Sequence, residues 1–262
     1  MHHRLFAATA AASLLLALGG CGDSGGNESA AAEPDARQQF AQAADALVAK
    51  TGTPGAKAEM PAANDPAVQA FEAQAAKAMT TLGTDALPVD GFDSYQDLCG
   101  KAATIVGAYA AAGTSGTAGA AQQQKMEANI DAYMDQMFTP LLFAAHCNAA
   151  HMPYLDGEAG GAASDKKAAI GQVRQGMFAQ VLGLVQMASD SSFTPERRRR
   201  IVELLATDAS NFALGMGTQE RAQVLQAVTQ LRASLPADLQ PQADTIRQKI
   251  ESAKCGAICK TA

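Results

Sequence analysis

The chain has 262 residues, with 20 Lys and Arg against 26 Asp and Glu for a formal charge of −6, and is 48% hydrophobic but only 5% aromatic, without Trp. Such an acidic balance excludes general affinity for nucleic acid, whose phosphates demand a surplus of basic side chains, and excludes electrostatic adhesion to anionic lipid. Much of the apolar fraction is Ala, the best helix former and poor strand material, so the composition points to helices.

At the start, Arg4 precedes an apolar or small run from Leu5 to Leu18, and Gly19 and Gly20 come just before Cys21. A basic start, a core of this length and small residues at the cut predict an export signal over 1–20, too short for a permanent membrane helix. Leu18-Gly19-Gly20-Cys21 resembles the lipobox of bacterial lipoproteins, a likeness confined to this segment. The resemblance implies a thioether-linked diacylglycerol on Cys21, cleavage before it, and acylation of the new amino terminus with a palmitate-type chain. One acyl chain holds marginally, whereas two or more make a stable anchor in the lipid bilayer. Gly22 directly after the cysteine, with Asp23 one place later, implies by the same resemblance sorting to the outer membrane rather than retention at the inner one.

Gly22-Asp23-Ser24-Gly25-Gly26 also repeats the string around the nucleophile of trypsin-like proteases. Ser24 precedes every later His and sits in a Gly/Ser/Ala tract, and a triad is defined by geometry rather than by a short string. Residues 21–34 therefore read as a flexible linker carrying the lipidated Cys21. Without 1–20 the chain keeps 19 basic and 26 acidic side chains, a net −7, so attachment to a membrane would rest on acyl chains.

Phe40, Ala44, Leu47 and Val48 fall at helical spacing in the segment 35–50, which ends at the break "TGTPGAK". Asp65 as cap and Pro66 at the first helical position predict a helix to about Leu82. Ser94 and Asp97 suggest a capping box, after which Tyr95, Leu98, Ala102, Ile105, Val106 and Tyr109 draw one apolar stripe. "GTSGTAG" lacks the ending of a phosphate loop and reads as a helix–helix connection. Met126, Ile130, Tyr133, Met137 and Leu141 continue the pattern, with Pro140 expected to kink or end it. Ser164 opens a long helix bearing Ile170, Val173, Met177, Val181 and Leu184; Thr194 and Thr218 are the expected caps of the next two. A last helix is expected from about Pro236 to Cys255.

Every long segment has a period near 3.6 and none alternates with period two. The predicted fold is an all-α multi-helix bundle of about seven or eight helices over 35–262, with the loop at 156–164 as a candidate division between two packed halves.

Cys99, Cys147, Cys255 and Cys259 are an even set, read first as two disulfides in an oxidising compartment. Three pairings exist; Cys99 with Cys147 and Cys255 with Cys259 is favoured. "CGAIC" differs from Cys-x-x-Cys redox motifs and follows no strand pattern, so a structural crosslink is expected there. His146, Cys147 and His151 have helical spacing compatible with zinc or copper, against the plainer expectation of an oxidised cysteine with histidines near a helix C-terminus. Arg197, Arg198, Arg199 and Arg200 form the one dense basic run, either a patch for an anionic partner or a solvated turn balanced by Glu196, Glu203 and Asp208. Methionines 126, 134, 137, 177 and 187 read as core filling. Asp131, Asp135 and Asp208 are the acids near apolar stripes, and no catalytic set or cofactor site emerges.

The leading expectation is a lipid-anchored envelope protein, its domain in the periplasm, with a non-enzymatic interaction or scaffolding role toward an envelope protein partner. The alternatives are a module binding a small apolar ligand between helices and, behind it, an envelope enzyme.

Overall fold

The computed structural model describes residues 36–81, 89–161 and 163–260, so the export signal, Cys21 and the linker expected over 1–34 lie outside the described residues. Among the described residues are eight α-helices: α1 Ala36–Thr51, α2 Pro66–Thr81, α3 Val89–Ala110, α4 Gly119–Ala159, α5 Ser164–Ser189, α6 Pro195–Leu214, α7 Thr218–Ser234 and α8 Gln240–Ser252. A 3-10 turn, Ile258–Lys260, follows, and no strand is present among these residues. The chain is all-α, the multi-helix bundle that its period and its alanines predict. None of the described helices is long and apolar enough to cross a membrane.

The helices form two compact units, and the chain passes between them inside α3, after Cys99, and inside α4, after Leu141. Residues 156–164 lie within the second unit.

The first unit holds α1, α2, the end of α3 and the start of α4. Phe40 and Leu47 of α1 meet Val68 and Phe71 of α2 in its core, and the two Phe rings stand edge to face with centroids 5.3 Å apart. Asp65 caps α2 as its sequence predicts, its Oδ1 accepting from Ala67 N at 2.8 Å while Lys50 Nζ at 2.7 Å adds an ion pair. The Lys50 hydrogen bond and, after it, the one from the Ala67 backbone hold the Asp65 carboxyl below its ordinary range. The loop behind α1 is tied down too, since Lys57 Nζ donates to Lys50 O at 2.5 Å and Gly113 N donates to Lys57 O at 2.8 Å. Gly113, Gly116 and Gly119 have φ of +60°, +78° and +60°, which explains the glycines of "GTSGTAG" as a turn between helices.

Two helix starts differ from expectation. Helix α3 begins at Val89, so Ser94 is interior rather than a cap. Helix α7 is capped at Gly217, with Thr218 the first helical residue, because Glu220 Oε2 accepts from Gly217 N at 2.7 Å and satisfies that end without a hydroxyl. Thr194 does cap α6, accepting from Arg197 N at 3.3 Å, with Pro195 in the first turn. Pro236 opens a turn closed by Leu239 N on Pro236 O at 3.0 Å, and α8 starts later, at Gln240, where Pro241 is tolerated because first-turn amides need no intrahelical partner. Pro140 does not end α4; the helix kinks at Tyr133, where φ is −111° and ψ 16°. Pro140 removes the helical bond to the carbonyl of Gln136, one turn earlier, whereas the irregular backbone lies further back, at Tyr133.

The second unit contains the first half of α3, the second half of α4, and α5 to α8. Helix α5 packs against α6 and α7, and α8 packs against the same two. Phe143, Met152, Leu184, Ile201, Phe212, Val224, Leu231, Ile246 and Ile250 are enclosed in its core. Burial of such side chains contributes about 1.5–3 kcal/mol each. Met137 of the first unit and Met177 of the second are buried as core filling requires; Met126, Met134 and Met187 are only half-buried.

Candidate functional site

Of the polar residues that sequence inspection singles out, His146, Cys147 and His151 lie on the second half of α4, and Asp208 and Cys99 reach it. Successive helical residues point about 100° apart, so three in a row address three directions. Here each direction holds a different helix. His146 Nδ1 lies 2.8 Å from Asp208 Oδ2 on α6. Cys147 is at disulfide distance from Cys99 on α3, with Cα atoms 5.8 Å apart. Asn148 Nδ2 donates to Gln180 Oε1 on α5 at 3.1 Å.

The first of these contacts is enclosed: His146 is 4% exposed and Asp208 1%. Burial pushes the Asp208 carboxyl up, while the His146 hydrogen bond and charge, and more weakly Lys249, pull it down. The spacing is that of a base and its orienting acid, but both groups are shut away from solvent, and what the geometry performs is bracing between α4 and α6. Asp131 and Asp135, the other acids near apolar stripes, are exposed. An acid flanked by Leu204, Leu205, Ala209 and Phe212 was the available signal for Asp208.

His151 stands apart from the pair, stacked on Tyr154 with ring centroids 5.5 Å apart. Burial lowers its pKa. His146, Cys147 and His151 thus have separate partners, and among the described residues no three His, Cys, Asp or Glu side chains are gathered as a metal would need.

The four consecutive arginines are half-buried, and two of them have evident structural tasks. Arg198 Nε donates to Ala188 O at 2.7 Å and its Nη2 to Ser234 O at 2.9 Å, closing carbonyls at the ends of α5 and α7. Arg199 Nη2 meets Asp238 Oδ2 at 2.6 Å. The theme recurs. Arg221 serves Met216 O at 2.9 Å, Ala213 O at 2.8 Å and also Ala253 O. Cations at helix C-termini satisfy carbonyls that the helix leaves open and suit its dipole. Arg174 Nη1 pairs with Glu220 Oε2 at 2.7 Å, while Arg174 Nε and Gln180 Nε2 are buried without a hydrogen-bond partner.

The other cysteine pair joins Cys255 to Cys259, with Cα atoms 5.7 Å apart. Inside this short ring Ile258 is fully buried, and its backbone N–H donates to Asp156 Oδ1 at 2.9 Å. Cysteine pairing follows the favoured reading; the docking of the tail on Asp156, 102 residues away, had no sequence signal. Comparison with protein-family models, curated proteins and solved structures finds no match to this chain.

Proposed function

We propose that this chain is a lipid-anchored protein of the bacterial envelope, with a helical body that has a non-enzymatic interaction or scaffolding role. The observation that carries the proposal is the segment Leu5–Leu18 followed by Gly19-Gly20-Cys21. Two cysteine pairs at disulfide distance support an oxidising compartment such as the periplasm. The polar side chains of the α4 junction are engaged in helix-to-helix contacts, which supports a body that presents a surface rather than a reacting centre.

Acylated Cys21 would hold the body near the bilayer, and the linker over 22–34 would let it search the adjacent volume. Confinement of this kind raises the effective concentration toward an envelope partner, to the millimolar range for short flexible linkers, without any new contact. The residues after Cys21 favour the outer membrane.

Mass spectrometry of the mature chain tests the anchor: Cys21 should carry a diacylglyceryl group and an acylated amino terminus, and globomycin should block maturation. An unmodified Cys21 thiol refutes the anchoring. Crosslinking in intact cells tests the role, since recovery of the chain alone counts against scaffolding.

A further inference from the structure

The two disulfides occupy opposite environments. Cys147 is 5% exposed in the interior, and its bond to Cys99 closes a separation of 48 residues. Cys255 is exposed, Cys259 is partly exposed, and their separation is 4. A crosslink over a long loop restrains the unfolded chain strongly, whereas one over so short a loop restrains it little. The second bond can therefore open without threatening the fold of its unit.

Charges of both signs lie around it, the Asp156 carboxyl standing against Gly256 inside the ring. Lys254 and Lys260 directly flank the two cysteines in the chain, and the Arg221 guanidinium donates to Ala253 O. The exposure of Cys255 and the partial exposure of Cys259 admit an attacking thiol.

What the bond restrains is specific. Ile258 lies between the two sulfurs in sequence, is 0% exposed, and belongs to a 3-10 turn that packs on α5. A Cβ placed on Gly256 would run into the Asp156 carboxyl, so that carboxylate sits directly against the backbone of the ring and also accepts from Ile258 N at 2.9 Å. Within the ring closed by the disulfide, the Ile258 amide meets Asp156 of α4 while its turn packs on α5.

We propose that Cys255–Cys259 is a thiol–disulfide exchange site whose opening releases the C-terminal turn from Asp156, and that its reductant is a protein dithiol. In the forward step a donor thiolate attacks Cys255 Sγ, the more exposed residue; a mixed disulfide forms, the Cys255–Cys259 bond breaks, and Cys259 leaves as a thiolate that takes up a proton. The second donor thiol then attacks the mixed disulfide and frees Cys255, so the donor ends as a disulfide and its two protons reside on the two cysteines. Reoxidation reverses both steps.

The test equilibrates the full chain in graded mixtures of reduced and oxidised glutathione, and separately with a reduced Cys-x-x-Cys protein, followed by alkylation and peptide mass spectrometry. Cys255 and Cys259 should be alkylated under conditions that leave Cys99–Cys147 intact, and amide exchange at Ile258 should rise at least about tenfold once they are, as an opened turn loses its protection. A chain carrying Cys255→Ser and Cys259→Ser should show the same Ile258 exchange under oxidising conditions, with helicity unchanged. Opening of Cys99–Cys147 first or in step, or an Ile258 amide equally protected with the ring open, overturns the proposal.

Discussion

Replacement of His146 by Ala isolates the brace between α4 and α6. The Asp208 carboxyl, 1% exposed, then loses the Nδ1 partner at 2.8 Å. Removing one member of a buried charged pair costs about 3–5 kcal/mol. The electrostatic part has a ceiling, because the stranded carboxyl can take a proton instead: from its ordinary value of 3.8 to pH 7, at about 1.36 kcal/mol per unit, the cost is about 4.4 kcal/mol. We expect a loss of about 3–4 kcal/mol at pH 7. The variant's folded state would hold a proton that the unfolded chain releases above its ordinary carboxyl range, so its stability falls as pH rises. Burial already raises the Asp208 carboxyl in the wild type, so the deficit should widen, by up to about 1.4 kcal/mol per unit, only above that raised titration and up to the variant's own. Urea unfolding followed by far-UV circular dichroism at several pH values measures this. A deficit below about 1 kcal/mol at pH 7, or one that is the same at pH 4 and 7, refutes the buried-brace reasoning.

Other substitutions probe different physics. Because burial lowers the His151 pKa, the unfolded chain binds the proton more readily; the stability from a neutral His151 is complete above about 6.5 and is lost as pH falls below it. Thermal unfolding of His151→Gln across that range should show a flatter acid limb than wild type, and parallel curves contradict the assignment. A methyl group on Gly215 would stand 2.5 Å from Met152 Cε, in a side chain that is 0% exposed, so Gly215→Ala should cost about 1–3 kcal/mol in urea unfolding. Adding Met152→Leu, which withdraws that terminal methyl, should recover at least half the loss; strictly additive effects would place the clash elsewhere.

The helices were legible from local periodicity because a helix is made by residues three and four apart. Asp65 before Pro66 marked the α2 start, Thr194 before Pro195 marked α6, and the stripe from Leu98 to Tyr109 marked α3. Boundaries at Ser94, Thr218 and Pro236 were misread; at Thr218 the reason is visible, since Glu220 satisfies the Gly217 amide at 2.7 Å without a hydroxyl. The irregularity of α4 falls at Tyr133 rather than at Pro140, the residue that local chemistry singles out.

Alanine-rich composition and a period near 3.6 sufficed to settle all-α architecture, because backbone propensity and one-sided burial are properties of short stretches of chain. Which polar groups meet was decided only in three dimensions. His146 and Asp208 are 62 residues apart, Asn148 and Gln180 are 32, and Asp156 and Ile258 are 102. A residue's type announces that it needs a partner when buried, but the identity of the partner is fixed by which helix faces it across the core. His146 and Cys147, which with His151 have spacing compatible with a metal site in one dimension, instead contact α6 and α3, and Asn148 beside them contacts α5, once those helices have packed around α4.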